Sequence, residues 1–322
     1  MRLLRSLGKK NLRGKKCLVR INLDIKEPHR NSLRIQVALP TLRLLYANGA
    51  KPVVISHNGR PNGTDKTLSL KSAIVVLETI LNKKLQWIEN LRFDPREEDN
   101  DITLAKELAA KAAIYINDDF ATSHRKAASL IAITKLLPSY AGLRLEEEIT
   151  NLSRVRDNPV QPLVVVLGGI KLADKIGTIR FLEQKNAHFL LGSAYHLPRE
   201  ALPSNANITM PQDGIPSGRV WKDIGPTTTK EYARIISKAK TILWSGPVGN
   251  VENPAYVKGS RAIANAIVKS KAFSVAGGGD TADFLEKENL ISRFEFVSTG
   301  GGAMLAFLAG EKMPALIALE IK

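Results

Sequence analysis

The chain is predicted to fold as two α/β domains, each built on a Rossmann-like parallel sheet, joined by a hinge helix. Three observations predict this. Short β-branched runs recur along all 322 residues, and several are almost wholly apolar, as strands covered on both faces are. Helix-like stretches separate them, and strands alternating with helices assemble into mainly parallel sheets. The residues that follow the strands also change character midway, from arginine and histidine to clusters of glycine.

In the first half the predicted strands are CLVRI (17–21), PVVIS (52–56), LQWI (85–88) and IYIN (114–117). ITLAKELAAKAA (102–113) has apolar residues at helical spacing. LRLEEEITNLSRVRDN (143–158) is rich in helix formers and stops at Pro159, which cannot continue a helix. In the second half the predicted strands are LVVVLG (163–168), FLLG (189–192), NITM (207–210), TILWS (241–245), FSVAG (273–277) and FEFVST (294–299). TKEYARIISKAK (229–240) and GSRAIANAIVKS (259–270) supply helices between them. The expected division is an N-terminal domain over 1–142, a linking helix over 143–160 and a C-terminal domain over 161–309. No internal repeat or low-complexity tract interrupts this order.

Composition excludes several classes. Hydrophobic residues make up 44% and charged residues 24%, an ordinary globular mixture rather than a disordered one. Cys17 is the only cysteine, so an internal disulfide is impossible and a reducing compartment fits. The basic start, MRLLRSLGKKNLRGKK, lacks the apolar core and cleavage site of a secretory signal. No apolar run approaches the ~20 residues of a membrane helix. A soluble, cytoplasmic protein is expected, without a membrane partner. The formal charge of +16 favours anionic partners: nucleotides, phosphorylated metabolites, nucleic acid or acidic membrane surfaces. Charge alone does not choose among them. Lysines and arginines outside motifs read as solvated surface.

Ligands of open α/β sheets bind beyond the C-terminal ends of the strands, so candidate site residues are those that follow each strand. Arg20, Asn22 and Asp24 stand two apart at the end of the first run, a spacing that turns them to one face. PVVIS leads into His57, Asn58, Gly59 and Arg60; LQWI leads into Asn90, Leu91 and Arg92; IYIN leads through Asp118 and Asp119 to Arg125. Arg34 lies just before an apolar helix. In a parallel sheet these loops converge on one basic pocket, and the two-pronged guanidinium suits phosphate and carboxylate.

The second half offers glycine instead. LVVVLG runs into Gly169, Lys171 and Lys175; TILWS into Gly246, Gly249 and Glu252; FSVAG into Gly278, Gly279, Asp280 and Thr281; FEFVST into Gly300, Gly301 and Gly302. Glycine admits close backbone approach, and a helix N-terminus offers free N–H groups to phosphate. No strand is followed by GxxxxGK(S/T), and no GxGxxG with a downstream acid marks a dinucleotide fold. Five dispersed histidines and one cysteine do not make a Cys/His metal site. Asp280 suits Mg²⁺ shared with nucleotide phosphates, since that ion needs only one or two protein carboxylates. Two anion sites, one for a small acidic phosphate and one for a nucleotide, suit phosphoryl transfer.

Taken in order, GKKCLVRINLD, LRIQVALPTLRLLYANGAKPVVISHNGRPNG, IENLRFDPREE, YINDDFATSHRKAAS, LGGIKLADKIGTI, DIGPTTTKEYA, WSGPVGNVE, VAGGGDTADFLEK and VSTGGGAMLAFLAGEKMPAL resemble the phosphoglycerate kinase family along nearly the whole chain. The resemblance implies a two-lobed, hinge-bending kinase, a phosphotransferase with a carboxyl group as acceptor. It would move a phosphoryl group between 1,3-bisphosphoglycerate and ADP, as a monomer, with Mg²⁺ carried by ADP or ATP. It implies substrate binding by Arg20, Asn22, Leu23, Asp24, Arg34, His57, Asn58, Gly59, Arg60 and Arg125, with Arg34 and Lys171 catalytic. Nucleotide binding falls to Gly169, Lys175, Glu252, Gly278, Gly279, Asp280 and Thr281, with Asp280 on Mg²⁺, and the segment 310–322 packs back on the first domain.

Three departures accompany the resemblance. Asn22 and Asp24 exchange the family's Asp-x-Asn order. Gln161 stands at a position read as a phosphate-binding arginine, so a weaker substrate site is expected there. The chain is short between 192 and 214, a region expected to wall the adenine pocket. The alternative to an active kinase is a non-catalytic descendant that binds nucleotide or phosphate. A specific nucleic-acid partner is not expected, because no recognised motif accompanies the charge.

Overall fold

The structure, a computed structural model, describes residues 1–169, 172–194, 202–217 and 220–320. The chain divides into two compact units: Met1–Ile149 with the C-terminal stretch from Lys312, and Thr150–Glu311.

In the first unit, β1 (Lys16–Arg20), β2 (Lys51–Ile55), β3 (Gln86–Trp87), β4 (Ile114–Asn117) and β5 (Ser139–Ala141) form one sheet in the order β3-β2-β1-β4-β5. Every pairing in it is parallel. The helices are α1 (Lys9–Leu12), α2 (Leu33–Ala47), α3 (Lys71–Leu81) and α4 (Ile102–Ala109). Successive strand residues enter opposite cores, which is why these runs are apolar without alternating. Cys17 and Val19 join Ile35, Leu42 and Leu77 on one face. Leu18 joins Leu104 and Leu108 on the other.

The division falls inside α5 (Leu143–Arg156). The first turn of that helix is capped from within the first unit. The Asp118 carboxylate accepts the Arg144 and Leu145 N–H groups at 2.8 and 3.1 Å, and Thr41 Oγ1 accepts the Leu143 N–H at 3.0 Å.

In the second unit, β6 (Leu163–Leu167), β7 (His188–Leu191), β8 (Asn207–Thr209), β11 (Thr241–Ser245), β12 (Phe273–Gly277) and β13 (Phe296–Ser298) form a second parallel sheet, ordered β13-β12-β11-β6-β7-β8. Its helices are α6 (Ile176–Glu183), α7 (Pro226–Ile236), α8 (Lys258–Ser270), α9 (Gly279–Lys287) and α10 (Gly302–Leu308). Trp244 is fully buried at its centre, edge-on to Phe284. The last helix, α11 (Pro314–Glu320), belongs with the first unit, where the Ala315 N–H reaches Ser123 O at 3.1 Å.

Three strands depart from the sequence expectation. β5 was not predicted, and an antiparallel hairpin of β9 (Gly214–Ser217) and β10 (Val220–Ile224) stands where no strand was expected. Gly214 and Pro216 disfavour strands, but a two-stranded edge tolerates proline. Trp221 lies against Gly214, where an added Cβ would be 2.3 Å from its ring.

Strand order fixes where ligands go. In each sheet the order reverses once, between β1 and β4 in the first unit and between β6 and β11 in the second. Loops leaving neighbouring strands part at such a point and open a crevice.

Candidate active site

At the first crevice, Arg20 ends β1 and is only 2% exposed. Ser129 Oγ accepts from its Nη1 at 2.7 Å, and Glu97 Oε1 lies 3.4 Å from the same atom. Its Nη2 faces Asp119 Oδ2 at 3.5 Å, Thr122 Oγ1 at 3.4 Å and His57 Nδ1 at 3.5 Å. A buried guanidinium needs such partners, since an unpaired buried charge is strongly destabilising. Arg92 donates from Nη1 to Gly59 O at 2.6 Å, and its Nε lies 3.3 Å from Glu98. Arg20, Arg92, Arg125 and Lys126 line a cavity of roughly 200 Å³, with Glu97, Glu98 and Thr122 among its other walls. Arg125 is more open than Arg20 or Arg92, and among the described residues its ion-pair partner is Glu98 at 4.0 Å. The cavity suits a small anion gripped by several guanidinium groups.

His57 is buried beside these cations. Desolvation first, then Arg20, Arg92, Arg125 and Arg34, hold its pKa well below 6.5, so the ring is neutral at physiological pH. A neutral ring that accepts from Arg20 at Nδ1 carries its proton on Nε2, 3.8 Å from Asp24 Oδ2. Asp24 Oδ1 accepts the Gly59 N–H at 2.9 Å, and Arg34 donates to Asp24 O. Asn22 Oδ1 accepts the Asp24 N–H at 3.0 Å, while its Nδ2 points to Asp119 at 3.5 Å. The loops after β1, β2 and β4 are thereby tied together by the polar residues expected to share a face. Gly59 has φ +64°, and a Cβ there would sit 2.9 Å from Leu68. Arg60 is exposed, and Asn58 is buried with its carbonyl accepting from Asn90 at 2.7 Å.

At the second crevice, glycine has two roles. A Cβ on Gly168 would lie 2.0 Å from Pro247 O, and one on Gly246 2.2 Å from Gly168 O. These glycines let the loops after β6 and β11 cross at backbone contact. Among the described residues, a Cβ on Gly279 would meet nothing within 4 Å, and one on Gly278, at φ +104°, no atom nearer than 3.6 Å. The N-terminus of α9 is therefore an open cradle with N–H groups and a favourable dipole. The buried Thr281 Oγ1 accepts the Gly246 N–H at 2.8 Å, which fixes the cradle beside the β11 loop. Lys175 lies in the same place. It donates to Gly168 O, and its Nζ is 3.6 Å from where a Gly169 Cβ would stand. Burial lowers its pKa from 10.5 to about 8, against the opposing pull of Asp174 and Asp280. Asp280 and Glu252 are exposed. Lys171 lies outside the described residues.

The described residues contain no cluster of three or more His, Cys, Asp or Glu side chains able to hold a metal. A single exposed carboxylate on the first turn of α9 fits Mg²⁺ that takes its other ligands from phosphate and water.

The phosphoglycerate kinase family model matches residues 7–88, 82–201 and 193–311. The phosphoglycerate kinase of Herpetosiphon aurantiacus is 32% identical over 382 aligned positions, covering 96% of this chain and 97% of that protein. The chain belongs to the phosphoglycerate kinase family. The phosphoglycerate kinase of Wolbachia pipientis wMel is 33% identical, covering 96% of this chain and 97% of that protein. Two solved phosphoglycerate kinases share the fold. That from Pyrococcus horikoshii is 27% identical with a TM-score of 0.86, covering 100% of this chain and 99% of its own. That from Coxiella burnetii is 30% identical with a TM-score of 0.81, covering 98% of each chain. An alignment of 382 positions against a chain of 322 residues means that the Herpetosiphon relative carries internal residues missing here.

Two residues expected at the substrate site have their side chains engaged elsewhere. Gln161 precedes β6, at the N-terminal end of that strand, where its side chain donates to Lys185 O at 2.8 Å and accepts the Leu163 N–H at 3.0 Å. Leu23 is fully buried, with its side chain in the core, so it brings no side chain to the pocket.

Arg92, a candidate because it follows LQWI though not among the residues the resemblance implies, lines the cavity with Arg20 and Arg125. Glu97, Asp119, Thr122 and Ser129, which hold Arg20, carry no sequence signal of that task.

Proposed function

We propose that this protein catalyses reversible phosphoryl transfer, 1,3-bisphosphoglycerate + ADP to 3-phosphoglycerate + ATP, as a cytoplasmic enzyme of glycolysis and gluconeogenesis. The observation that carries the reading is the Arg20–Arg92–Arg125 cavity at the first crevice of a chain in this family. The cavity would hold the phosphate of the three-carbon acid, and the neutral His57, Asn22 and Asp24 would orient its polar end. The α9 cradle, Gly278–Thr281, would take the nucleotide phosphates, with Lys175 beside them and Glu252 on the ribose. Asp280 would hold Mg²⁺, which supplies charge neutralisation to the phosphates when bound.

In this reading a β-phosphate oxygen of ADP attacks the acyl phosphate in line, and the carboxylate of 3-phosphoglycerate leaves. No protein base is required. Arg34 steadies the moving group and Lys171 follows it, each spreading positive charge over the equatorial oxygens.

A coupled assay with 3-phosphoglycerate, ATP and Mg²⁺ tests the proposal, and no turnover above background in the purified protein refutes it. Lys171→Ala should lower kcat by at least about a hundredfold, in the range seen when one charge-stabilising donor is removed. Undiminished turnover would remove Lys171 from the mechanism.

A further inference from the structure

The +16 charge is not used up by the two crevices, and part of it gathers at the opposite end of the first sheet. β1 and β2 open side by side on Lys16 and Lys51, which are register partners. The Lys51 N–H bonds to Lys15 O at 2.8 Å, and the Gly14 N–H to Gly49 O at 2.8 Å. The Arg13 stem lies along Gly49, its Cγ 3.4 Å from where a Cβ would stand. Lys9 and Lys10 occupy α1 just ahead. All six cations are exposed, and among the described residues none has an ion pair. The first acidic residue in the chain is Asp24, beyond the far end of β1.

The row continues sideways. Lys84 precedes β3 and Lys111 precedes β4, so four neighbouring strands begin on or just after a cation. At about 4.8 Å per strand this edge is about 15 Å wide. Lys84 and Lys111 follow the C-termini of α3 and α4, where a cation offsets the helix dipole. Lys84 also pairs with Glu78 at 2.8 Å. Arg13 likewise caps the C-terminus of α1, but among the described residues no ion pair engages Lys9, Lys10, Arg13, Lys15, Lys16 or Lys51.

We propose that this edge is a sequence-independent docking surface for a nucleic-acid backbone. The surface is open, so it does not enclose a metabolite. The large apolar side chains that are exposed, Met1, Val75, Ile102, Val160, Ile215, Trp221 and Ile317, lie outside residues 8–16 and 48–51, so the edge lacks the apolar insertion that holds a protein on a membrane. A line of unpaired cations a few ångströms apart matches a linear polyphosphodiester, whose binding is driven by counterion release. The surface is separate from the anion cavity: Lys16 and Arg20 stand at opposite ends of β1, about 13 Å apart along the strand.

The test is fluorescence anisotropy with a labelled 20-nucleotide single-stranded RNA, its DNA equivalent and a duplex, from 50 to 200 mM KCl. Contact with about five phosphates predicts a slope near −3.5 for single strands, so affinity falls about a hundredfold over that range. The triple variant Lys9→Glu, Lys16→Glu, Lys51→Glu changes exposed side chains only. It should keep its thermal unfolding midpoint and bind at least tenfold more weakly at 50 mM salt. Arg125→Ala and saturating 3-phosphoglycerate should leave oligonucleotide binding unchanged. The proposal is overturned by absence of binding, by binding indifferent to the triple variant, or by competition from 3-phosphoglycerate. It is equally overturned if vesicles with anionic phosphatidylserine bind more tightly than the oligonucleotides.

Discussion

Replacing Lys175 by methionine removes a cation that the second unit holds against its preference. The side chain is 6% exposed, and burial lowers its pKa from 10.5 to about 8. At 1.36 kcal/mol per pH unit, the ammonium is disfavoured in the folded state by about 3 kcal/mol. The sign follows from proton counting. Between about pH 8 and 10.5 the unfolded chain keeps the Lys175 proton and the folded chain has released it, so wild-type stability rises with pH in that window. Below pH 8 both states are protonated and the full penalty is present. Lys175→Met lacks the group and therefore lacks the rise. Urea unfolding of both proteins at pH 7.5 and pH 10, followed by tryptophan emission, isolates the effect, because other alkaline titrations are common to the two. Wild type should gain about 2–3 kcal/mol on the variant between these conditions. A stability difference independent of pH would refute the claim that this ammonium is desolvated. The same penalty makes a functional prediction. A bound phosphate restores the cationic form, so MgADP binding at pH 8.5 should take up a proton, visible as a buffer-dependent calorimetric enthalpy. The variant should show no such uptake and bind about ten- to a hundredfold more weakly.

Arg92→Ala should raise KM for 3-phosphoglycerate about ten- to a hundredfold by removing one charge-assisted contact, and Gln161→Arg, which adds the charge the family resemblance implies at that position, should lower it. An unchanged KM in Gln161→Arg would remove that position from the substrate site. Asp118 is buried and its pKa is raised from 3.8 to about 6, chiefly by desolvation. A raised carboxyl stabilises the fold below about pH 3.8 and loses that contribution as pH climbs through about 6. Relative to Asp118→Asn, wild type should therefore lose about 2 kcal/mol between pH 4 and pH 7, measured by unfolding of the two proteins at both values.

The parallel-sheet architecture was legible because a strand buried on both faces leaves an unbroken apolar run. Val164, Val165 and Val166 in β6 are at most 1% exposed, so no polar alternation survives to confuse the pattern. The hairpin was not legible. Gly214 is there to seat the Trp221 ring, and a contact seven residues away leaves no periodic signal. The candidate site divides the same way. Arg20, His57 and Arg125 could be found because they follow strands. The partners that keep Arg20 buried come from Glu97, Asp119, Thr122 and Ser129, brought together only by the packed loops.

Glycine-rich loops were read as ligand loops throughout, and the geometry separates them into two kinds with opposite responses to a single methyl group. Gly246 has φ +87°, and its added Cβ would lie 2.2 Å from Gly168 O and 3.0 Å from Lys175 Nζ. Gly246→Ala must therefore push apart two backbone segments that cross at the second crevice. A loss of several kcal/mol follows, by the same reasoning that makes overpacking and forbidden backbone angles costly. Gly279 has nothing within 4 Å and no left-handed φ. It sits at the first position of α9, where alanine is the better helix former, so Gly279→Ala should leave stability unchanged or raise it by up to about 1 kcal/mol. Among the described residues nothing stands in the way of the new methyl, so it obstructs a group that occupies the cradle. If phosphate docks there, Gly279→Ala weakens MgADP binding while the unfolding midpoint holds. Full nucleotide affinity in a stable Gly279→Ala protein would mean that the open N-terminus of α9 is not where phosphate binds, and the assignment of Gly278 to Thr281 would fall with it.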